Sequence, residues 1–220
     1  MNMKNSSLLH RRFSYTYSNV TLYLILINVA VFMATSANRN LLVYLSMVPG
    51  LIIQKHYYWQ FITYMFTHAN FTHILFNMIG LYFFGTQVER RMGSKEFLLF
   101  YMLIGFLAGV FSFFVYYLTG NYGVFLLGAS GAVFAVLLSF ATYYPQARIF
   151  VFGIIPMKAP VLVILYTGIE LFSQMTSINS GVAHLTHLAG FAFAFLYLLL
   201  RLRINPIEEW KRSSQRGRWG

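Results

Sequence analysis

Cysteine is absent from the 220-residue chain, and so is aspartate. The first absence excludes disulfides and thiol chemistry. The second excludes paired-aspartate sites and any Ser–His–Asp triad. Glutamate is nearly as scarce: Glu89, Glu96, Glu170, Glu208 and Glu209 are the only acidic side chains. Charged residues make up 10% of the chain, against roughly 25% in soluble domains. No His-Glu-x-x-His stretch occurs, so the usual helical zinc signature is missing. Low-complexity segments and internal repeats are missing too.

Apolar runs fill the chain instead, with 58% hydrophobic residues and a mean hydropathy of +0.62. Such runs predict a multi-span, all-α membrane protein. Six spans are expected, at about 20–36, 71–88, 97–118, 129–144, 160–175 and 182–200. Residues 1–19 form a polar N-terminal tail without the pattern of a cleaved signal, 20–200 the membrane domain, and 201–220 a basic tail. Residues 37–70 are too polar and interrupted for a span. Their Tyr and Trp residues predict a long interfacial loop with short amphipathic helices. The 146–159 stretch, with Arg148, Pro156 and Lys158, reads as a connection lying near the membrane.

The net charge of +11 raises the possibility of nucleic acid, but its distribution points to topology. Six spans put the N-tail, the 89–96 turn, the 146–159 connection and the C-tail on one side. These segments hold 14 of the 16 Lys and Arg; only Arg39 and Lys55 lie on the other side. Positive charge marks the cytoplasmic face, so both termini are expected inside, with the lipid bilayer rather than nucleic acid as the partner of the basic tail.

Spans two, four and six then run from outside to inside. His73 lies near the outer end of span two, with Asn77 one turn deeper on the same face. Ser130 opens span four, and His184 and His187 lie in the first turns of span six. Polar groups inside a membrane are costly unless paired or hydrated, so their common depth predicts a shared polar cavity. Gly131 and Ala135 on span four are expected to face Gly190 and Ala194 on span six, since small residues let membrane helices approach closely. That contact would bring Ser130 to a histidine 57 positions later. An imidazole that takes the serine proton makes a nucleophile near pH 7. Asn77, His73 and a backbone N–H near Ser130 are candidate oxyanion donors. With no aspartate in the chain, either a Ser–His dyad or an orienting Glu remains.

Three stretches in this order carry a family resemblance. They are Thr67-His68-Ala69-Asn70-Phe71-Thr72-His73-Ile74-Leu75-Phe76-Asn77, Gly128-Ala129-Ser130-Gly131, and Ala183-His184-Leu185-Thr186-His187-Leu188-Ala189-Gly190. Together they resemble the signatures of rhomboid intramembrane serine proteases, over about residues 20–200. The turn Glu89-Arg90-Arg91-Met92-Gly93 resembles the family's turn after the second helix. The resemblance implies a six-helix, rhomboid-like bundle with a long first loop. It implies Ser130 as nucleophile, His187 as general base, and His73 and Asn77 as oxyanion donors. Glu89 matches an acidic residue that braces the cytoplasmic helix ends. Trp59-Gln60 stands where many members carry Trp-Arg, so the arginine's bracing of the first loop is not implied here.

The implied activity is a serine endopeptidase that cuts transmembrane protein substrates near the outer face without a cofactor or metal. Substrates with helix-weakening Gly or Pro at the cut are implied as well. His184 is expected as an auxiliary to the site, His68 as a structural hydrogen-bond partner in the loop, and Glu170 as a structural or water-linked group. A bacterial cytoplasmic membrane is the expected location. Two rivals come from other classes. One is a metal transporter using His68, His73, His184 and His187, which no ligand carboxylate is expected to accompany. The other is a catalytically dead relative that binds membrane helices; such a protein is expected to have lost the serine or histidine.

Overall fold

A computed structural model describes residues 13–151, 153–176 and 181–216. The chain is mostly helical: α1 (Val20–Ala37), α2 (Arg39–Leu45), α3 (Pro49–Lys55), α4 (Gln60–Thr63), α5 (Phe71–Gly80), α6 (Thr86–Met92), α7 (Ser94–Leu118), α8 (Ser130–Tyr143), α9 (Ala159–Thr176), α10 (Gly181–Leu200) and α11 (Pro206–Arg216). Among the described residues, α1 and α7 are long and apolar enough to cross a membrane by themselves. Helices α8, α9 and α10 carry shorter apolar stretches.

The stretch expected as the second span is one helical rod in three parts. A π-helical turn, Leu81–Gly85, joins α5 to α6. It sits where α8 and α1 crowd in: a Cβ on Gly80 would lie 3.0 Å from Val133, and one on Gly85 would lie 3.1 Å from Thr21. Such turns inside helices tend to occur near functional sites. The expected long loop does hold short helices, α2 to α4, followed by a 3₁₀ turn at Tyr64–Phe66. The loop is seated in a groove on α7. A Cβ on Gly105 would meet the Met65 side chain at 2.0 Å, and one on Gly109 would meet Tyr64 at 2.6 Å. The Tyr64 hydroxyl donates to Gly105 O at 2.6 Å.

Two segments hold more regular structure than the sequence alone suggests. The 146–159 connection is an antiparallel hairpin, β1 (Arg148–Val151) paired with β2 (Ile155–Lys158), with Arg148 opposite Lys158. The basic C-terminal stretch is not only a tail. Its α11 packs on the end of α8, where Trp210 Nε1 donates to Ala141 O at 3.0 Å. Residues 217–220 of that stretch, like 1–12 of the N-tail, lie outside the described residues.

In a bilayer the lipid is as apolar as leucine, so close packing and internal polar bonds must hold helices together. Both are present. Helix α10 runs in the middle, against α7, α8 and α9. A Cβ on Gly190 would lie 2.1 Å from Gly131 O, so the α10 and α8 backbones touch there. Ala135 and Ala194 are fully buried, which fits the small-residue seam expected from the sequence. Ser112 and Thr186 hydroxyls meet at 2.6 Å between α7 and α10. Glu89, fully buried, accepts from Val20 N, Thr21 N and Thr21 Oγ1 at 2.7–2.8 Å and from Ser94 Oγ at 2.5 Å. It caps α1, whose own N-cap residue Asn19 is left-handed and caps nothing, so the carboxylate meets free N–H groups at the positive end of the helix. Glu96 ties α7 to α10: Arg201 reaches it with Nε at 2.6 Å and Nη2 at 2.9 Å, and the Tyr197 hydroxyl donates to it.

Candidate active site

Ser130 is the first residue of α8, and the turn before it is held by the long loop. Leu126 and Met47 exchange backbone bonds at 2.9 and 3.0 Å, and Gly128 N donates to Tyr64 O at 3.0 Å. Gly128 has φ +116°, a conformation that favours glycine. A Cβ there would lie 2.8 Å from His73 Nε2 and 3.7 Å from Ser130 Oγ. The histidine ring and the hydroxyl therefore flank one small space. Only a residue without a side chain lets them do so. No side chain caps α8, so its first-turn N–H groups have no capping partner from its own N-cap residue.

His187 and Ser130 come together: His187 Nε2 lies 2.7 Å from Ser130 Oγ. Phe134, one turn after Ser130, stacks on the imidazole at 4.5 Å between centroids and 11° between planes. The other ring nitrogen, Nδ1, lies 3.0 Å from Glu170 Oε1 on α9. His184 Nδ1 lies 2.5 Å from Glu170 Oε2. Glu170, expected as a structural or water-linked group, joins both histidines of α10. Nothing in the sequence places residue 170 beside residue 187, because only the packing of α9 on α10 does so.

His73 and Asn77 line the same cavity as Ser130 and His187, a space of about 640 Å³ bounded also by Phe76 and Tyr166. Asn70 caps α5, its Oδ1 accepting from His73 N at 2.8 Å, which fixes where that helix begins. His73 Nδ1 takes a long bond, 3.5 Å, from Ala69 N. That leaves the ring proton on Nε2, the nitrogen beside Gly128. Asn77 Nδ2 spends one hydrogen on His73 O at 2.9 Å and keeps a second.

His68 departs from expectation. It is 2% exposed, and neither ring nitrogen has a hydrogen-bond partner among the described residues. Its ring meets that of His73 edge-on at 5.1 Å. Burial, then the nearby His73 charge, pushes His68 down to about 4. The loop is braced after all, though not by arginine. Buried Gln60 donates to Val43 O and Tyr44 O at 3.1 Å and accepts from Val48 N at 3.0 Å.

The four histidines weighed as metal ligands fall into two groups. Among the described residues, the one group close enough to hold an ion is Glu170, His184 and His187, with ligand atoms within 4.8 Å of one another. A carboxylate does accompany two of the histidines, contrary to expectation. His68 and His73 are not part of that group.

Fold and site define a class: a mostly helical domain with a serine, an imidazole and a carboxylate in hydrogen-bonded series beside a cavity. The chain belongs to the rhomboid family, whose domain matches residues 55–204. It is 36% identical over 147 residues to RHOMBOID-like protein 12, mitochondrial, of Arabidopsis thaliana, covering 60% of this chain and 43% of that one. It is 31% identical over 143 residues to the putative rhomboid protease YdcA of Bacillus subtilis, covering 65% and 67%. It is 29% identical over 119 residues to the rhomboid protease GlpG of Haemophilus influenzae, covering 54% and 59%. The chain spans under half the length of the Arabidopsis relative. Rhomboid proteins are membrane-embedded, and this chain shares that setting.

Proposed function

We propose that this protein is an intramembrane serine endopeptidase that hydrolyses peptide bonds in or near transmembrane segments of other proteins. The observation that carries this reading is the 2.7 Å contact between Ser130 Oγ and His187 Nε2 on the wall of the cavity. Ser130 attacks the scissile carbonyl as His187 takes its proton. The tetrahedral oxyanion is held by His73 Nε2–H, the spare Asn77 amide hydrogen and the Ser130 N–H. His187 returns the proton to the leaving amine, and water then hydrolyses the acyl-enzyme. No cofactor is needed for these steps.

An intact helix hides its carbonyls in i→i+4 bonds, so a substrate must unwind locally. Segments weakened by Gly or Pro are the substrates this favours. The cavity is lined from both α5 and α9, which supports lateral entry between these helices. The charge distribution supports six spans with both ends cytoplasmic and cleavage near the outer face. A bacterial cytoplasmic membrane suits that arrangement. The test is labelling of the purified protein by a fluorophosphonate. The wild type is expected to be labelled and Ser130→Ala to be blank. Equal labelling of the two would end the serine mechanism.

A further inference from the structure

Glu170, with His184 as its anchor, is a group the proposed mechanism has not used. Its two oxygens are divided between two imidazoles: Oε1 at 3.0 Å from His187 Nδ1, and Oε2 at 2.5 Å from His184 Nδ1. Glu170 is 7% exposed, and its carboxylate and the two imidazoles stand in one hydrogen-bonded line with Ser130. A neutral imidazole carries one N–H. A carboxylate accepts and does not donate, so it fixes that proton on His187 Nδ1. Nε2 then faces Ser130 with its lone pair bare, which is the tautomer a general base requires. Without the carboxylate, the ring is free to put its proton on Nε2 and donate it to the serine. The same carboxylate sits where positive charge appears when His187 takes the serine proton, and so stabilises that imidazolium.

We propose that Glu170 is a positioning residue of this site, making the dyad a Ser130–His187–Glu170 triad, and that His184 holds the carboxylate by its second oxygen. The inference rests on the serine-protease reading above. It extends that reading by two residues and a tautomer. His184 fixes the carboxylate by the oxygen that His187 leaves free, as outer partners orient a ligating or catalytic group elsewhere. The other titratable groups on the cavity that His187 lines are His73 from α5 and Tyr166 from α9. Among the described residues, the His187 ring nitrogens meet Glu170 and Ser130 rather than either of these.

The experiment measures kcat and KM for a dye-labelled single-span substrate in proteoliposomes across pH. The proteins are the wild type, Ser130→Ala, Glu170→Gln, Glu170→Asp and His184→Gln. Glutamine is nearly isosteric but offers an N–H to His187 Nδ1, which favours the wrong tautomer. Glu170→Gln is expected to lose about 10²–10⁴-fold in kcat with KM little changed. Its acid-side inflection is expected to move to lower pH, because the imidazolium loses its counter-charge. Glu170→Asp restores a carboxylate on a shorter arm and is expected to recover part of the rate. His184→Gln is expected to lose about tenfold. Wild-type kcat and an unmoved inflection in Glu170→Gln would overturn the triad. If Glu170→Gln is thermally destabilised, the Asp-to-Gln ratio of kcat decides: a ratio well above one supports the triad, and equal losses overturn it. Full activity in Ser130→Ala would instead defeat the serine-protease reading itself. An inactive Ser130→Ala beside an unaffected Glu170→Gln would defeat only this inference.

Discussion

Asn77 offers the cavity one amide hydrogen, the other being held by its own helix at His73 O. Asn77→Ala is therefore expected to lower kcat by about 10–10³-fold, the scale of one oxyanion donor, with KM nearly constant. A raised KM at unchanged kcat would assign Asn77 to substrate binding instead. His68 gives a prediction about stability. Its folded form is held neutral, with its pKa pushed down to about 4 from 6.5. The unfolded chain therefore binds more protons between those values. The contribution of His68 is complete above pH 6.5 and is lost as pH falls towards 4. The midpoint of thermal unfolding in detergent should fall over that window, and His68→Gln should flatten the fall. An identical slope in both proteins would refute it. The serine, His187 and His73 were legible in the sequence because their motifs recur in order on alternate spans. Glu170 was visible as a membrane carboxylate but not as a partner of His187, since the link runs between side chains of different helices.

The seam between α8 and α10 governs whether Ser130 and His187 meet. Gly190 lies so close to Gly131 O that even an alanine forces the helices apart. An ångström of displacement at a catalytic pair costs about a hundredfold in rate. Gly190→Ala is expected to lose that much kcat, whereas Gly168→Ala, with nothing within 4 Å of its Cβ, is expected to be silent. Equal activity in the two variants would refute the seam's role. Small residues at i, i+4 made this contact readable from the sequence. The hairpin at 148–158 was not readable. Exposure does alternate along β1, but the exposed Phe150, Ile154 and Ile155, at 60%, 78% and 54%, are as apolar as their neighbours, so the sequence shows no polar–apolar alternation. The bracing by Gln60 was hidden for another reason. The family's arginine is absent, and an amide meets the same loop by accepting as well as donating.

Across the whole molecule, the exposed apolar faces belong on the lipid side. Leu22, Tyr23, Leu26 and Met33 on α1, and Val161, Ile164, Ile169 and Phe172 on α9, are all at least 42% exposed. Patches of that kind mark a membrane or partner surface. The proposed sidedness is testable without background, because the chain has no cysteine of its own. A single Cys at Lys95 or Lys211 is expected to resist an impermeant thiol reagent in intact cells, and one at Lys55 to react. The reverse pattern would refute the proposed orientation.

Ser130 and His187 stand 57 residues apart, with α9 and its glutamate between them in the chain. During translation the proposed nucleophile enters the membrane before its proposed base exists. A ribosome-bound protein halted before α10 carries the serine without the imidazole of His187, so under the proposed mechanism the nascent chain is inert until α10 has been made.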